Sequence, residues 1–236
     1  MKSARWKFLA PAPLLAGLLC GLALAQTDDQ AIQERLAKHA KLFEVGRANW
    51  SRLENLKPNP QGIIVFDNLA TATYMAFSPP LTPEQELTQL SASVDAVISG
   101  TTVQQYSAFN SFHTMLYSDW IINVTKVYKN NSTITAQPGA QITVTRRGGD
   151  LIYNGTRIIA KDRIFPDFAV NREYVFYLKA LPDSSSFQAM SGGTFDVTGA
   201  TPLLLAAPTN PTSMREGFSS LRKADFAAVV ERSARR

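Results

Sequence analysis

The hydrophobic pattern of this chain changes period once. Near the start, Ile32, Leu36, Ala40 and Phe43 recur every three or four residues, with Gln33, Glu34, Arg35, Lys38 and Lys41 between them. That spacing lays one apolar stripe along an amphipathic helix. Asp28 or Asp29 can cap its start. Trp50 and Leu53 continue the pattern past Gly46, and Lys57-Pro58-Asn59-Pro60-Gln61-Gly62 ends it. Ile63, Ile64, Val65 and Phe66 predict a short buried strand over Gly62–Asp67, and Thr71–Phe77 alternates weakly. Thr82, Pro83 and Gln85 then form a capping box with proline in the first turn, predicting a helix over Pro83–Ser91.

Beyond that helix the period becomes two. Asp95–Val103 reads as a strand interrupted by Gly100, and Phe112–Lys129 as one long strand or a bent pair. Trp120, Ile122 and Val124 share a face, whereas Val127 is out of phase. One extra residue near Thr125-Lys126 returns Val127 to the core, so a β-bulge is expected there. Gln141–Arg147 alternates with Ile142 and Val144 inward, and Gly148-Gly149 stops it. Arg172–Leu181 is apolar on both faces through Tyr174, Val175, Phe176, Tyr177 and Leu178, as in a central or barrel strand. Phe187–Met190 and Thr194–Val197 flank Gly192-Gly193, which predicts a hairpin. Thr201–Ser213 is a proline-punctuated linker. Phe218, Leu221, Phe226, Val229 and Val230 predict a terminal helix with a break near Ala224-Asp225.

The expected fold is mainly β, α+β overall. It is a small antiparallel OB-like β-barrel over residues 93–198, with amphipathic helices at both ends. An N-terminal helical and irregular segment covers 26–92, and a linker and C-terminal helix cover 199–236. Several stretches carry a family likeness: Thr82-Pro83-Glu84, Asp95 to Gly100, Asn123-Val124 to Val127-Tyr128-Lys129, Ile142-Thr143-Val144 before Gly148-Gly149, and Glu173 to Leu178. Over about residues 82–198 this pattern resembles uncharacterised exported bacterial proteins. Their barrel is similar to the OB-like module of netrins and tissue inhibitors of metalloproteinases. The inhibitors in that family chelate a protease zinc through an N-terminal cysteine, and here that mechanism does not carry over.

The reason lies in the first 25 residues. Lys2, Arg5 and Lys7 precede an uncharged run from Phe8 to Ala25 that ends Ala23-Leu24-Ala25 before Gln26. This is the layout of a cleaved secretory signal, with the cut after Ala25 and a secreted or periplasmic product. Cleavage removes the single cysteine, Cys20, so the mature chain excludes thiol catalysis, cysteine metal sites and disulfides. It also removes three basic residues. The mature chain keeps 21 basic and 19 acidic side chains, and that net +2 carries no general polyanion-binding argument. A hydrophobic content of 45% excludes a disordered chain, and the mature chain carries no expected transmembrane span.

Motif chemistry is sparse. There is no phosphate loop, HExxH, cysteine pair or GxSxG elbow. Ser220-Leu221-Arg222-Lys223 matches SxxK, but the companion KTG is missing and the site reads as a solvated helix face. Only His39 and His113 can act as neutral-pH bases. His39, on the first helix, is expected at the surface or the boundary, and His113 as a packed or edge-strand residue. Asp119 lies six residues from His113, about 20 Å along an extended strand, out of reach. No catalytic residue, metal site or cofactor is assigned. Asn49, Asn123, Asn130, Asn131 and Asn154 begin Asn-x-Ser/Thr sequons.

The one positive feature is a basic and aromatic cluster. Arg146, Arg147, Tyr153, Arg157 and Arg163 are the candidate ligand-binding residues, since such groups on one barrel face hold anions or glycans. Export argues against nucleic acid as partner. The primary expectation is a non-enzymatic exported domain that binds a partner protein or envelope component. The alternatives are an exported hydrolase with a non-motif site and a glycan or anion binder.

Overall fold

The structure, a computed structural model, describes residues 29–44, 51–68, 81–162, 165–182, 185–205 and 217–235. The expected signal segment 1–25, the weak alternation at Thr71–Phe77, Trp50, Arg163 and most of the 201–213 linker lie outside them. The chain divides into two compact units, residues 1–38 and 39–236. In the first, the described residues 29–38 are helical. The second begins with the last two residues of that helix (α1, 29–40) and a tight 3-10 turn at Lys41–Phe43.

The described residues of this unit then form nine strands: β1 (Ile63–Asn68), β2 (Ala96–Phe109), β3 (Leu116–Asn130), β4 (Gln141–Arg147), β5 (Gly149–Tyr153), β6 (Thr156–Asp162), β7 (Glu173–Ala180), β8 (Ser186–Asp196) and β9 (Leu203–Leu204). The larger sheet runs β4-β3-β2-β7-β8-β9, and β4 also pairs with β8, closing a ring of five strands. The fold is mainly β, as expected, but not wholly antiparallel. Strand β4 runs parallel to β8 at Thr143–Thr145, and β1 runs parallel to β6. The first correction has a simple cause. Around a closed ring of five strands the direction cannot alternate at every junction, so one pair must be parallel.

All five ring strands contribute to one core. Ile98, Trp120, Ile122, Val144, Tyr174, Phe176, Leu178 and Phe187 lie together there, each at most 1% exposed. Two helices, α2 (Pro83–Ser93) and α3 (Lys223–Ala234), pack against each other and cover part of the ring's outer face. Leu87, Val97, Val175, Tyr177, Phe195, Phe226 and Val230 form that second layer. Strand β7 therefore buries Tyr174, Phe176 and Leu178 inside the ring, and Val175 and Tyr177 under the helices, which accounts for its two apolar faces. Helix α2 starts as predicted: Gln85 N–H donates to Thr82 Oγ1, and Thr82 N–H to Gln85 Oε1.

The β2–β3 ladder carries the expected bulge. Ser99 faces Lys126 and Gly100 faces Val124, so Thr125 is the extra residue, and Val127 packs against the ring core. Further shifts leave Tyr128 and Val103 unmatched. Gly192-Gly193 does not turn a hairpin. It lies inside continuous β8, where residues 190–193 bulge opposite Tyr177 while Ala189 faces Leu178 and Thr194 faces Phe176. A Cβ on Gly193 would sit 2.8 Å from the Tyr177 Cβ, so the bulge needs glycine to pass that ring. Helix α3 begins at Lys223 and residues 217–219 are helical, so the terminal break lies at 220–222, ahead of the predicted Ala224-Asp225, both of which are helical.

The smaller sheet, ordered β1-β6-β5, was foreseen only in β1. Strands β5 and β6 form a hairpin about Asn154-Gly155, both at positive φ (48° and 76°), the geometry of a type I′ turn. Its inner face, Ile64, Ile158 and Ala160, packs with Leu53 and Leu116 in a third cluster.

Candidate functional site

The four described members of the basic-aromatic set fall on separate surfaces. Arg146 shares its strand face with Ile142 and Val144 and points inward, 2% exposed. Its guanidinium donates to the carbonyls of Arg147 (3.1 Å), Pro166 and Phe165, and stacks over Phe165 at 4.3 Å and Phe168 at 5.2 Å. Asp167 lies 3.3 Å away. Burial pulls the Arg146 guanidinium below its ordinary pKa. It pushes the Asp167 carboxyl up despite the opposing pull of Arg146. Arg146 is thus corrected from a ligand-binding residue to a buried cation that pins the 165–168 loop. Arg147 points the other way, half-buried opposite Tyr117. Arg157 is exposed and forks onto Asp150, with Nε 3.0 Å from each carboxylate oxygen. Tyr153 lies edge-on to Phe109 (5.2 Å) and His113 (5.7 Å).

His113 occupies the 110–115 turn before β3, not a strand start, with φ +56°. Buried Asn110 shapes that turn, its Oδ1 accepting from the amides of Thr114 (2.9 Å) and Met115 (3.1 Å). The His113 ring stacks on Phe109 at 4.5 Å and its Nδ1 lies 2.9 Å from Glu54 Oε1. The backbone adds a tie: Leu53 N–H donates to His113 C=O at 2.7 Å. The His113 side chain is 27% exposed and that of Glu54 is 16% exposed, so the pair sits at the rim of the third cluster.

His39 is fully buried, which corrects its surface assignment. Its Nδ1 lies 2.7 Å from Asp119 Oδ1, and both side chains are 0% exposed. Phe43 stacks on Tyr117 beside the pair at 5.1 Å. Burial, with the Asp119 charge as second cause, pushes the Tyr117 phenol well above its ordinary pKa. Both histidines have carboxylate partners 80 and 59 residues away, and no spacing in the sequence signals either pair. A histidine oriented by a carboxylate is two-thirds of a nucleophilic triad. Among the described residues no hydroxyl is hydrogen-bonded to the Nε2 of either ring, and no three metal-ligating side chains gather. The His39 Nε2 is buried without a partner among the described residues.

The outer face of the smaller sheet is a different surface. Alternation along β1, β6 and β5 turns Ile63, Val65, Ile159 and Ile152 away from the third cluster. Ile152 is 74% exposed and Val65 is 46% exposed, and the Arg157–Asp150 pair crosses the same face. This apolar surface was missed in the sequence along with its hairpin, although Asn154-Gly155 between apolar runs is the signal that could have found it. Among the described residues no helix is long and apolar enough to cross a membrane. Compared with known proteins, the chain matches no family model and no curated protein.

Proposed function

We propose that the mature chain is a non-enzymatic exported binding domain. Its ring is an OB-like barrel, and a partner protein or envelope component docks on the outer face of the β1-β6-β5 sheet. The observation that carries this is the exposure of Ile152 and Val65 on one face with Ile63 and Ile159. Adjacent branched apolar side chains held in water are a cost that a docking surface recovers on binding. The OB-like reading is supported by the pairing itself: a three-strand meander, then two strands closing the ring through one parallel junction. Export is supported by the basic, apolar and Ala-x-Ala sequence of residues 1–25. Both histidines pack against aromatic or buried groups while holding carboxylates, which favours binding over catalysis.

Photo-crosslinking in the exporting cell tests this. A photoreactive side chain at position 152 is expected to give a discrete adduct, while one at exposed Asn123 on the ring gives none. Val65→Asp should abolish the adduct without lowering Tm. No adduct at 152, or equal adducts at both positions, would refute docking on this face. Mass spectrometry of the exported chain should find Gln26 first, and retention of residues 1–25 would overturn cleavage.

A further inference from the structure

A second surface, away from the β1-β6-β5 sheet, has the shape of a small-molecule site. Between α3 and the ring's outer face lies a half-open cleft of about 260 Å³, just below the usual size of ligand sites. Its floor is apolar: Val175, Val197 and Phe226. One row of the sheet crosses it, with Ser99 of β2 between Lys126 of β3 and Val175 of β7. Ser99 is 6% exposed, lines the cleft, and its hydroxyl makes no hydrogen bond among the described residues. Open to the cleft, that hydroxyl can donate to and accept from a bound ligand. The Thr125 bulge falls at this row, where such a kink re-aims neighbouring side chains.

Two ammonium groups stand at the mouth. Lys126 Nζ lies 2.9 Å from Glu231 and over the Tyr128 ring at 4.6 Å, and Lys223 Nζ lies 2.6 Å from Glu173. All four ion-pair side chains are roughly one-third to one-half exposed, so each pair is weak and solvent-screened. A bound carboxylate can replace a glutamate partner at little cost, keeping a charge-assisted hydrogen bond to lysine. We propose that this cleft binds a small amphipathic carboxylate. Its aromatic or short acyl body lies on Val175, Val197 and Phe226, and its anionic head reaches Lys126 or Lys223 and the Ser99 hydroxyl.

Amide NMR of the mature chain titrated with naphthoate tests the site. Saturable shifts at Ser99, Val175 and Phe226 are expected with Kd of about 1 mM or below, the range for a fragment-sized ligand. Neutral naphthamide should bind at least about fivefold more weakly, having lost the charge-assisted contact. Ser99→Ala should weaken naphthoate about threefold to tenfold. Ala227→Trp, which fills the cleft from α3, should abolish binding with unchanged circular dichroism. If that variant does not fold, Lys126→Gln combined with Lys223→Gln, at half-exposed positions, should remove the preference for naphthoate over naphthamide. Absence of saturable shifts, equal affinity for the amide, or undiminished binding by the folded Ala227→Trp variant would overturn the site. Displacement of naphthoate by equimolar inorganic phosphate would overturn the carboxylate assignment.

Discussion

Replacing Arg146 separates a structural from a ligand-binding role for the basic residues. Its guanidinium serves the carbonyls of Arg147, Pro166 and Phe165 and stacks on Phe165 and Phe168. Truncation to alanine strands acceptors in a dry environment, each costing about 1 kcal/mol or more. It also removes a desolvated cation–π contact of about 1–2 kcal/mol. Since the contributions overlap, the expected loss for Arg146→Ala is about 3–5 kcal/mol, in the range for breaking a buried ionic network. Arg146→Lys keeps the charge but not the planar fork, and should recover only part of that, leaving a loss of about 2 kcal/mol. Arg157→Ala should leave stability almost unchanged, because its pair with Asp150 is open to water. Urea unfolding of the mature chain, followed by tryptophan fluorescence, gives all three midpoints, with a common m-value as the check on two-state behaviour. If Arg146→Ala melts within about 0.5 kcal/mol of the wild type, the guanidinium does not hold the 165–168 loop. It would then have to be reconsidered as a binding group.

Three further outcomes follow from the packing. Phe176→Ala, at the centre of the ring core, should cost about 3–5 kcal/mol. His113→Ala should cost about 1–2 kcal/mol for the Glu54 contact, the Phe109 stack and the positive φ; urea melts giving the reverse order would show the strand faces misassigned. Gly149→Ala should destabilise by more than about 2 kcal/mol in the same assay, because its Cβ would lie 2.2 Å from Ser118 Oγ at φ +151°. Gly155→Ala, with open space around it, should cost only about 1 kcal/mol. Burial holds the Tyr117, Tyr174 and Tyr177 phenols protonated above the ordinary value. The unfolded chain ionises first, at about pH 10, so stability is unaffected below that pH and falls as pH rises beyond it. Phenolate absorbance should lag behind that of the urea-unfolded chain, and coincident titration curves would refute the burial.

Much of the ring was legible because its residues obey local rules. The misfit of Val127 against Trp120, Ile122 and Val124 located a bulge, and the two-faced hydrophobicity of 172–181 marked a central or barrel strand, whose outer face the helices cover. The parity that put Ile142 and Val144 inward also puts Arg146 inward. That step was available in the sequence, but composition alone favours exposed arginine. The β5–β6 hairpin was hidden for another reason. Arg157, Lys161 and Asp150 make its outer face look like a charged loop, while Leu151, Ile158 and Ala160 complete the alternation beneath. The histidine pairs were beyond sequence reasoning. His39–Asp119 and His113–Glu54 are set by which loops the topology brings together, and loop closure leaves no periodic trace.

Those two pairs have a common consequence. Each joins a residue near the start of the second unit to the β2–β3 ribbon: His39 to Asp119 near the start of β3, and Glu54 to His113 at the turn. Phe43 stacking on Tyr117, and fully buried Leu53 donating to the His113 carbonyl, reinforce the same joins. Strand β1 then covers Ile158 by pairing with β6, and at the other end Phe226 and Val230 of α3 cover Phe195 and Tyr177. The strands at 96–196 close into a ring on their own backbone hydrogen bonds, yet the second and third hydrophobic clusters are completed from outside that range. Exposing Leu116, Ile158, Tyr177 and Phe195 together would set several side-chain burials of about 1.5–3 kcal/mol each against a total stability of about 5–15 kcal/mol. The ring therefore depends on residues 39–44, 51–68 and 217–235 for its stability. The outer face of β1, β5 and β6, proposed above as the docking face, is held in shape by the same contacts that hold the ring together.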